Sequence, residues 1–108
     1  MTPNEFVACW KRHKDALLTD YTSPTGDTAI AKKLASLGLT DDQAASVREI
    51  IDDVLTDSHY AFLLGLDGAA NIGGTQQSYS VHDEHGESVY SPGDLEAAAW
   101  EAFHGNED

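Results

Sequence analysis

Apolar residues recur at helical spacing in four stretches of the chain. In the first, Phe6, Cys9, Trp10, Leu17 and Leu18 line one side of a helix expected to end near Asp20. Its start is marked by Thr2 as cap, Pro3 in the first helical position and Glu5 completing a capping box. Cys9 falls among the apolar positions and reads as a small buried hydrophobe, while Lys11, Arg12 and Lys14 lie mostly off the stripe. Tyr21-Thr22-Ser23-Pro24-Thr25-Gly26 has the composition of a loop. A second helix is expected from Thr25 or Asp27 to Gly38, with Ile30, Leu34 and Leu37 as its apolar residues. Thr40-Asp41-Asp42-Gln43 is another capping box, with two acids at the positive end of the helix dipole.

The third helix has the clearest pattern. Ala44, Val47, Ile50, Ile51, Val54, Leu55, Ser58, Ala61 and Phe62 fall within an arc of roughly 140°, and Glu49, Asp52, Asp53 and Asp57 take the opposite side. After His59 the pattern changes. Tyr60, Leu63 and Leu64 lie off the stripe, so the last turns before Gly65 or Leu66 are expected to be buried on more than one side.

A glycine-rich connection follows, from Asp67 to Gly74. The period then shifts to two. Tyr79 and Val81 alternate with Ser78, Ser80 and His82, and Val89 is the apolar residue of a second short run. Asp83-Glu84-His85-Gly86 between them has turn chemistry, which predicts a β-hairpin. Ser91-Pro92-Gly93-Asp94 repeats the start signature of the first helix, and Leu95, Ala98, Ala99, Ala102 and Phe103 form one face of a helix from Pro92 to His104. Asn106, Glu107 and Asp108 are expected to fray. The pattern predicts an α+β, mainly helical fold: three helices, then a β-hairpin packed on them, then a C-terminal helix. With 108 residues and no linker or repeat, a single acidic domain over residues 1–108 is expected.

Charge narrows the choice of partner. Residues 1–48 hold six acids and all six bases, whereas residues 49–108 hold the other 13 acids and no Lys or Arg, so the net charge of -13 lies in the second half. Such a domain repels phosphate backbones and anionic lipid, which argues against direct nucleic-acid binding and membrane docking. It favours a basic protein partner and fast encounter at low salt. The bland alternative is a surface that is acidic for solubility alone. Cys9 is the single cysteine, so an intramolecular disulfide is excluded. No leader-like stretch and no apolar run of about 18 residues is visible, so a cytoplasmic location is expected.

The chemical motifs are weak. His82-Asp83-Glu84-His85 offers imidazoles and carboxylates, but a turn splays its side chains and the spacing matches no strong zinc signature. No metal is expected there. The glycines around Gly65-Leu66-Asp67-Gly68 and Ile72-Gly73-Gly74 follow a helix and precede a strand pattern, the reverse of a phosphate loop, and no lysine follows Lys33. Ser58 and His59 are rotated about 100° apart on a helix. No catalytic residue and no cofactor is expected.

What remains is a binding surface. Its candidate residues are Glu49, Asp52, Asp53, Asp57, Tyr60, Asp83, Glu84, Glu87, Tyr90 and Trp100, with Glu96, Glu101 and Tyr79 nearby in sequence. Aromatic rings beside carboxylates suit the recognition of Arg and Lys. The expected function is a non-enzymatic acidic module that binds a basic protein, in the manner of immunity proteins, antitoxins or charge mimics. The alternative is a small enzyme or metal-binding protein using the hairpin-turn cluster. A homo-oligomer joined at the hairpin edge or at Trp100 is a third expectation.

Overall fold

Two reciprocal caps fix the starts of the long helices. The Thr2 amide donates to Glu5 Oε1 at 3.2 Å and the Glu5 amide to Thr2 Oγ1 at 3.1 Å, opening α1 (Pro3–Thr22). The Thr40 amide donates to Gln43 Oε1 at 3.0 Å and the Gln43 amide to Thr40 Oγ1 at 3.2 Å, opening α3 (Asp41–Leu66). Each pair satisfies two amides that the helix cannot satisfy itself. Between them, α2 (Ala29–Ser36) is shorter than expected. Thr28 is its cap, extended at φ -70° and ψ 154°, with Oγ1 accepting from the Ala31 amide at 3.0 Å. The last helix, α4 (Asp94–Phe103), also starts later than expected, after Gly93 in a left-handed conformation at φ 93°. These elements come from a computed structural model that describes residues 1–105, so the expected fraying of Asn106 to Asp108 lies outside the described residues.

The chain divides into two compact units. The first joins Met1–Lys11 to the chain from Asp57 onward, and the second is Arg12–Thr56. In the first unit, Val7, Leu63, Val89, Tyr90, Leu95, Ala98, Ala99 and Phe103 form a core, with Phe6, Trp10, Tyr60, Leu64 and Leu66 packed against it. Leu63 is fully buried, as expected from the change of pattern after His59, and so is Leu95, expected on the apolar face of the last helix. In the second unit the buried residues are Lys14, Leu18 and Ala31.

Three expectations are corrected. The predicted β-hairpin does not form: among the described residues the fold is mainly helical, with two isolated bridges, Ile72 to Thr75 and His82 to Ser88, and no sheet. The reason is where the backbone groups go. The Val89 amide donates to Val81 O and the Asp83 amide to Glu87 O, both at 2.9 Å, but the pairing stops there. The Tyr79 amide instead donates to Leu66 O at 3.0 Å, at the end of α3. The Tyr90 hydroxyl donates to the carbonyls of Leu66, at 3.0 Å, and Tyr79. A segment tied to a helix end and a side chain has no free edge for a ladder.

The second correction concerns α1. Cys9 is exposed, and Val7 is buried in its place at 1% exposure. The third is Lys14, which lies buried on the same line as Val7 and Leu18 rather than off it. Its long aliphatic stem accounts for this, because the ammonium group can still reach carboxylates. Among the described residues no helix is long and apolar enough to cross a membrane.

Candidate functional site

The acids of α3 do not form one uniform stripe. In the second unit Asp52 is half-buried and ion-paired with Lys14, whose Nζ also lies 3.4 Å from Asp15 Oδ1. Asp52 is therefore neutralised by an N-terminal cation, whereas Glu49 and Asp53 are exposed. In the first unit Asp57 is exposed as well.

The carboxylates of the 83–87 turn are used in two ways. Asp83 accepts from the backbone amides of His85 at 2.8 Å and Glu87 at 3.1 Å, so it holds the turn shut. Those bonds, Glu87's first and His85's second, pull its carboxyl below the usual range. Glu84 and Glu87 stand exposed, and Glu84 Oε1 lies 3.6 Å from His85 Nε2. Among the described residues no three side chains of His, Cys, Asp or Glu come together as a metal-ligand set, so the alternative that His82 and His85 join Asp83 and Glu84 around an ion finds no geometry here.

The two kinds of candidate aromatic part company. Tyr90 is buried, with its hydroxyl turned inward onto the Leu66 and Tyr79 carbonyls. Burial, and then the charge of Asp67, push its hydroxyl above the ordinary tyrosine range. Its place in the partner-binding set is corrected to the core. Trp100 is the opposite, 57% exposed on α4. Its ring centroid is 6.4 Å from that of Tyr60 and 5.2 Å from that of His104, while Tyr60 and His104 meet edge to face at 4.7 Å and 89°. The structure thus brings Tyr60 and Trp100 together, and adds His104 to them. Trp10 has a different setting. It is half-buried between Phe6, His59 and Phe62, at centroid distances of 6.4, 5.8 and 5.3 Å.

Exposed acids lie near these rings along their helices: Glu96 is one helical turn before Trp100 on α4, and Asp57 is three residues before Tyr60 on α3. Glu101 is exposed too, but it is turned about 100° from Trp100 and lies with Pro3 and Asn4. The sequence reading missed His104 in this group, although its i+4 spacing from Trp100 was the available signal.

It also missed Asp67, which no local signal marks. Asp67 is 7% exposed and its two oxygens accept from the amides of Gly93 and Glu96, both at 2.8 Å. A carboxylate 26 residues earlier in the chain therefore caps α4, where the helix dipole favours negative charge. Asp94, the acid of the expected start signature, accepts from the Ser91 amide at 3.0 Å, as Glu5 does from Thr2, and Asp67 adds the two bonds to Gly93 and Glu96. The capped start of α4 fixes the helix that carries Glu96, Trp100 and Glu101.

The second unit holds a different feature. An open, mainly apolar groove of about 280 Å³ runs between α2 and the start of α3, lined by Ala31, Leu34, Ala35, Leu39, Ala44 and Val47 among others. Comparison with protein-family models, with curated proteins and with solved structures finds no match for this chain.

Proposed function

We propose that this protein is a non-enzymatic acidic interaction module that binds a basic protein, and that the surface around Trp100 makes the central contact. The observation that carries the reading is a large aromatic ring left 57% exposed, with Tyr60 and His104 tilted against it and exposed Glu96 one helical turn away on the same helix. Exposed tryptophan is costly to leave in water, and it is the residue type most enriched at the centres of interfaces. The ring face attracts a guanidinium or ammonium group, and the carboxylates supply charge-assisted hydrogen bonds to it.

Charge supports the same partner. By sequence the first unit carries eleven acids against Lys11 alone. That field speeds the approach of a cationic surface and repels nucleic acid, while burial of Trp100 sets the lifetime of the complex. The class is that of small acidic proteins which neutralise a basic partner.

The test is capture from source-cell lysate on the immobilised chain, at about 50 mM and about 500 mM salt, where screening lengths differ roughly threefold. A basic protein retained at the lower salt and released at the higher is the expected result. Trp100→Ala should then weaken the purified complex about tenfold or more, mainly by faster dissociation. Asp57→Asn with Glu96→Gln should slow association. Retention that ignores salt, or no basic protein retained at all, sinks the reading.

A further inference from the structure

The chain around Trp100 supplies almost no cation of its own. The first unit holds one base, Lys11 on α1, and no Lys or Arg occurs from Glu49 onward. Glu96 is exposed one helical turn before Trp100, a spacing that sets the two Cβ atoms about 5–6 Å apart. Long side chains on a helix lean toward its N-terminus, so the indole leans over the turn that carries Glu96 and Ala97. Ala97 is exposed, and its methyl group is too small to fill the space beside the ring.

Both members of the pair are held in place. Tyr60 and His104 are tilted against the indole, with centroids 6.4 and 5.2 Å from it, yet 57% of Trp100 stays in water. The Glu96 amide donates to Asp67 Oδ2 at 2.8 Å, and Asp67 is buried, so the turn that bears Glu96 is pinned. A ring and a carboxylate at this spacing ask for a cation of a particular shape. An ammonium group is a compact, strongly hydrated point charge, and it gains from either group without needing both in register. A guanidinium is flat. Laid on the indole, it directs its N–H groups outward in the plane, where a carboxylate one turn along the helix accepts two of them.

We propose that Trp100 and Glu96 form a receptor for one arginine side chain of the basic partner, with the guanidinium stacked on the indole and bonded to the Glu96 carboxylate, and that it prefers arginine to lysine. This rests on the reading of the Trp100 surface as the partner contact, and it names the side chain that the surface selects. Glu101, turned about 100° from Trp100, carries the same charge and takes no part.

Titration of the full chain with N-acetyl-arginine amide, N-acetyl-lysine amide and N-acetyl-citrulline amide at constant ionic strength tests this, read by NMR at the indole Nε1–H signals. Trp10 serves as the internal reference, and Trp100→Phe assigns the two signals. The expected result is a saturable shift at Trp100, with arginine bound about threefold or more tighter than lysine. Citrulline keeps the shape of arginine without its charge, and should give no saturable shift. Glu96→Gln should bring arginine down to the level of lysine. Glu101→Gln removes an equal charge from another face and should leave the preference intact. Equal affinity for arginine and lysine, a preference unmoved by Glu96→Gln, a preference lost as fully in Glu101→Gln, or no saturable shift at Trp100 overturns the proposal. A captured basic protein that depends on Trp100 but is displaced equally by arginine and lysine overturns it too, and leaves the broader reading standing. An arginine preference set by Glu96, with no basic protein captured from lysate, upholds the receptor and sinks the broader reading, so the two fall separately.

Discussion

The two units differ in what holds them together. The first is built round a shared core of eight buried hydrophobic residues, from Val7 on α1 to Phe103 on α4. The second buries only Lys14, Leu18 and Ala31; each unit leaves four large hydrophobic side chains exposed, Met1, Phe62, Ile72 and Trp100 in the first and Ile30, Leu37, Ile50 and Val54 in the second. The first also carries eleven acids and a single base, and the second a nearly mixed set. The contrast has a physical content. Like-charge repulsion destabilises a compact state, and a unit with a larger buried core can withstand it. A unit with little core is held by polar contacts as well: the local caps at Thr28 and Thr40, and two long-range contacts, the Lys14–Asp52 pair and the hydrogen bond of 2.6 Å from Arg48 Nη1 to Thr22 Oγ1.

The contrast is broken most directly at Leu63, which is fully buried in the first core. Leu63→Ala should cost about 3–5 kcal/mol in chemical denaturation, from lost burial and a residual cavity. A loss below about 1 kcal/mol would mean that this core does not carry its unit. Asp67→Ala comes next. It strips two charge-assisted bonds, made by a buried carboxylate, from the amides at the start of α4, an expected loss of about 2–3 kcal/mol, with faster amide exchange at Gly93 and Glu96.

Lys14→Met tests the second unit. It keeps the buried stem and removes the charge that faces Asp52, so the loss should be about 1–2 kcal/mol, moderated because Asp52 is 43% exposed. An equal or larger loss than at Leu63 would reverse the contrast.

The smallest effects are those of pH, and they follow from three groups. The Tyr90 hydroxyl titrates higher folded than unfolded, because of burial and then the charge of Asp67. Its contribution is therefore complete below about pH 10 and disappears as pH rises through the folded value. Glu5 and Asp83 titrate lower folded than unfolded, each held by backbone amides, of Thr2 and of Glu87 then His85. Their contributions are present above the ordinary carboxylate range and lost as pH falls through the lowered values. Tyr90→Phe should flatten the alkaline limb of a stability profile, and Asp83→Asn the acid limb.

How far the pattern could be read depends on distance along the chain. The caps of α1 and α3 were legible because their partners are three residues apart. The burial of Leu63, Leu95, Ala98, Ala99 and Phe103 was legible from spacing alone. Cys9 and Val7 exchanged roles because a stripe on a helix wheel leaves its edge positions to be chosen by what packs against them. Tyr90 and Trp100 looked alike as aromatic residues among acids, yet one is core and the other surface. The alternation of residues 77–91 was real, but a period of two fixes an extended chain, not a ladder.

The sequence by itself thus determined the four helices, their reciprocal caps at Thr2 and Thr40, and the accumulation of acid after Arg48. Each depends on residues within a few positions or on simple addition of charge. Only the tertiary structure decided that Asp67 would cap α4, that Tyr90 would bond to Leu66 and Tyr79 in place of a β-ladder, that Lys14 would neutralise Asp52, and that Trp100 would stand exposed beside Tyr60 and His104. Those outcomes join groups brought together by folding, and a hydrogen bond or a ring contact is fixed by separation in space, whatever the separation in sequence.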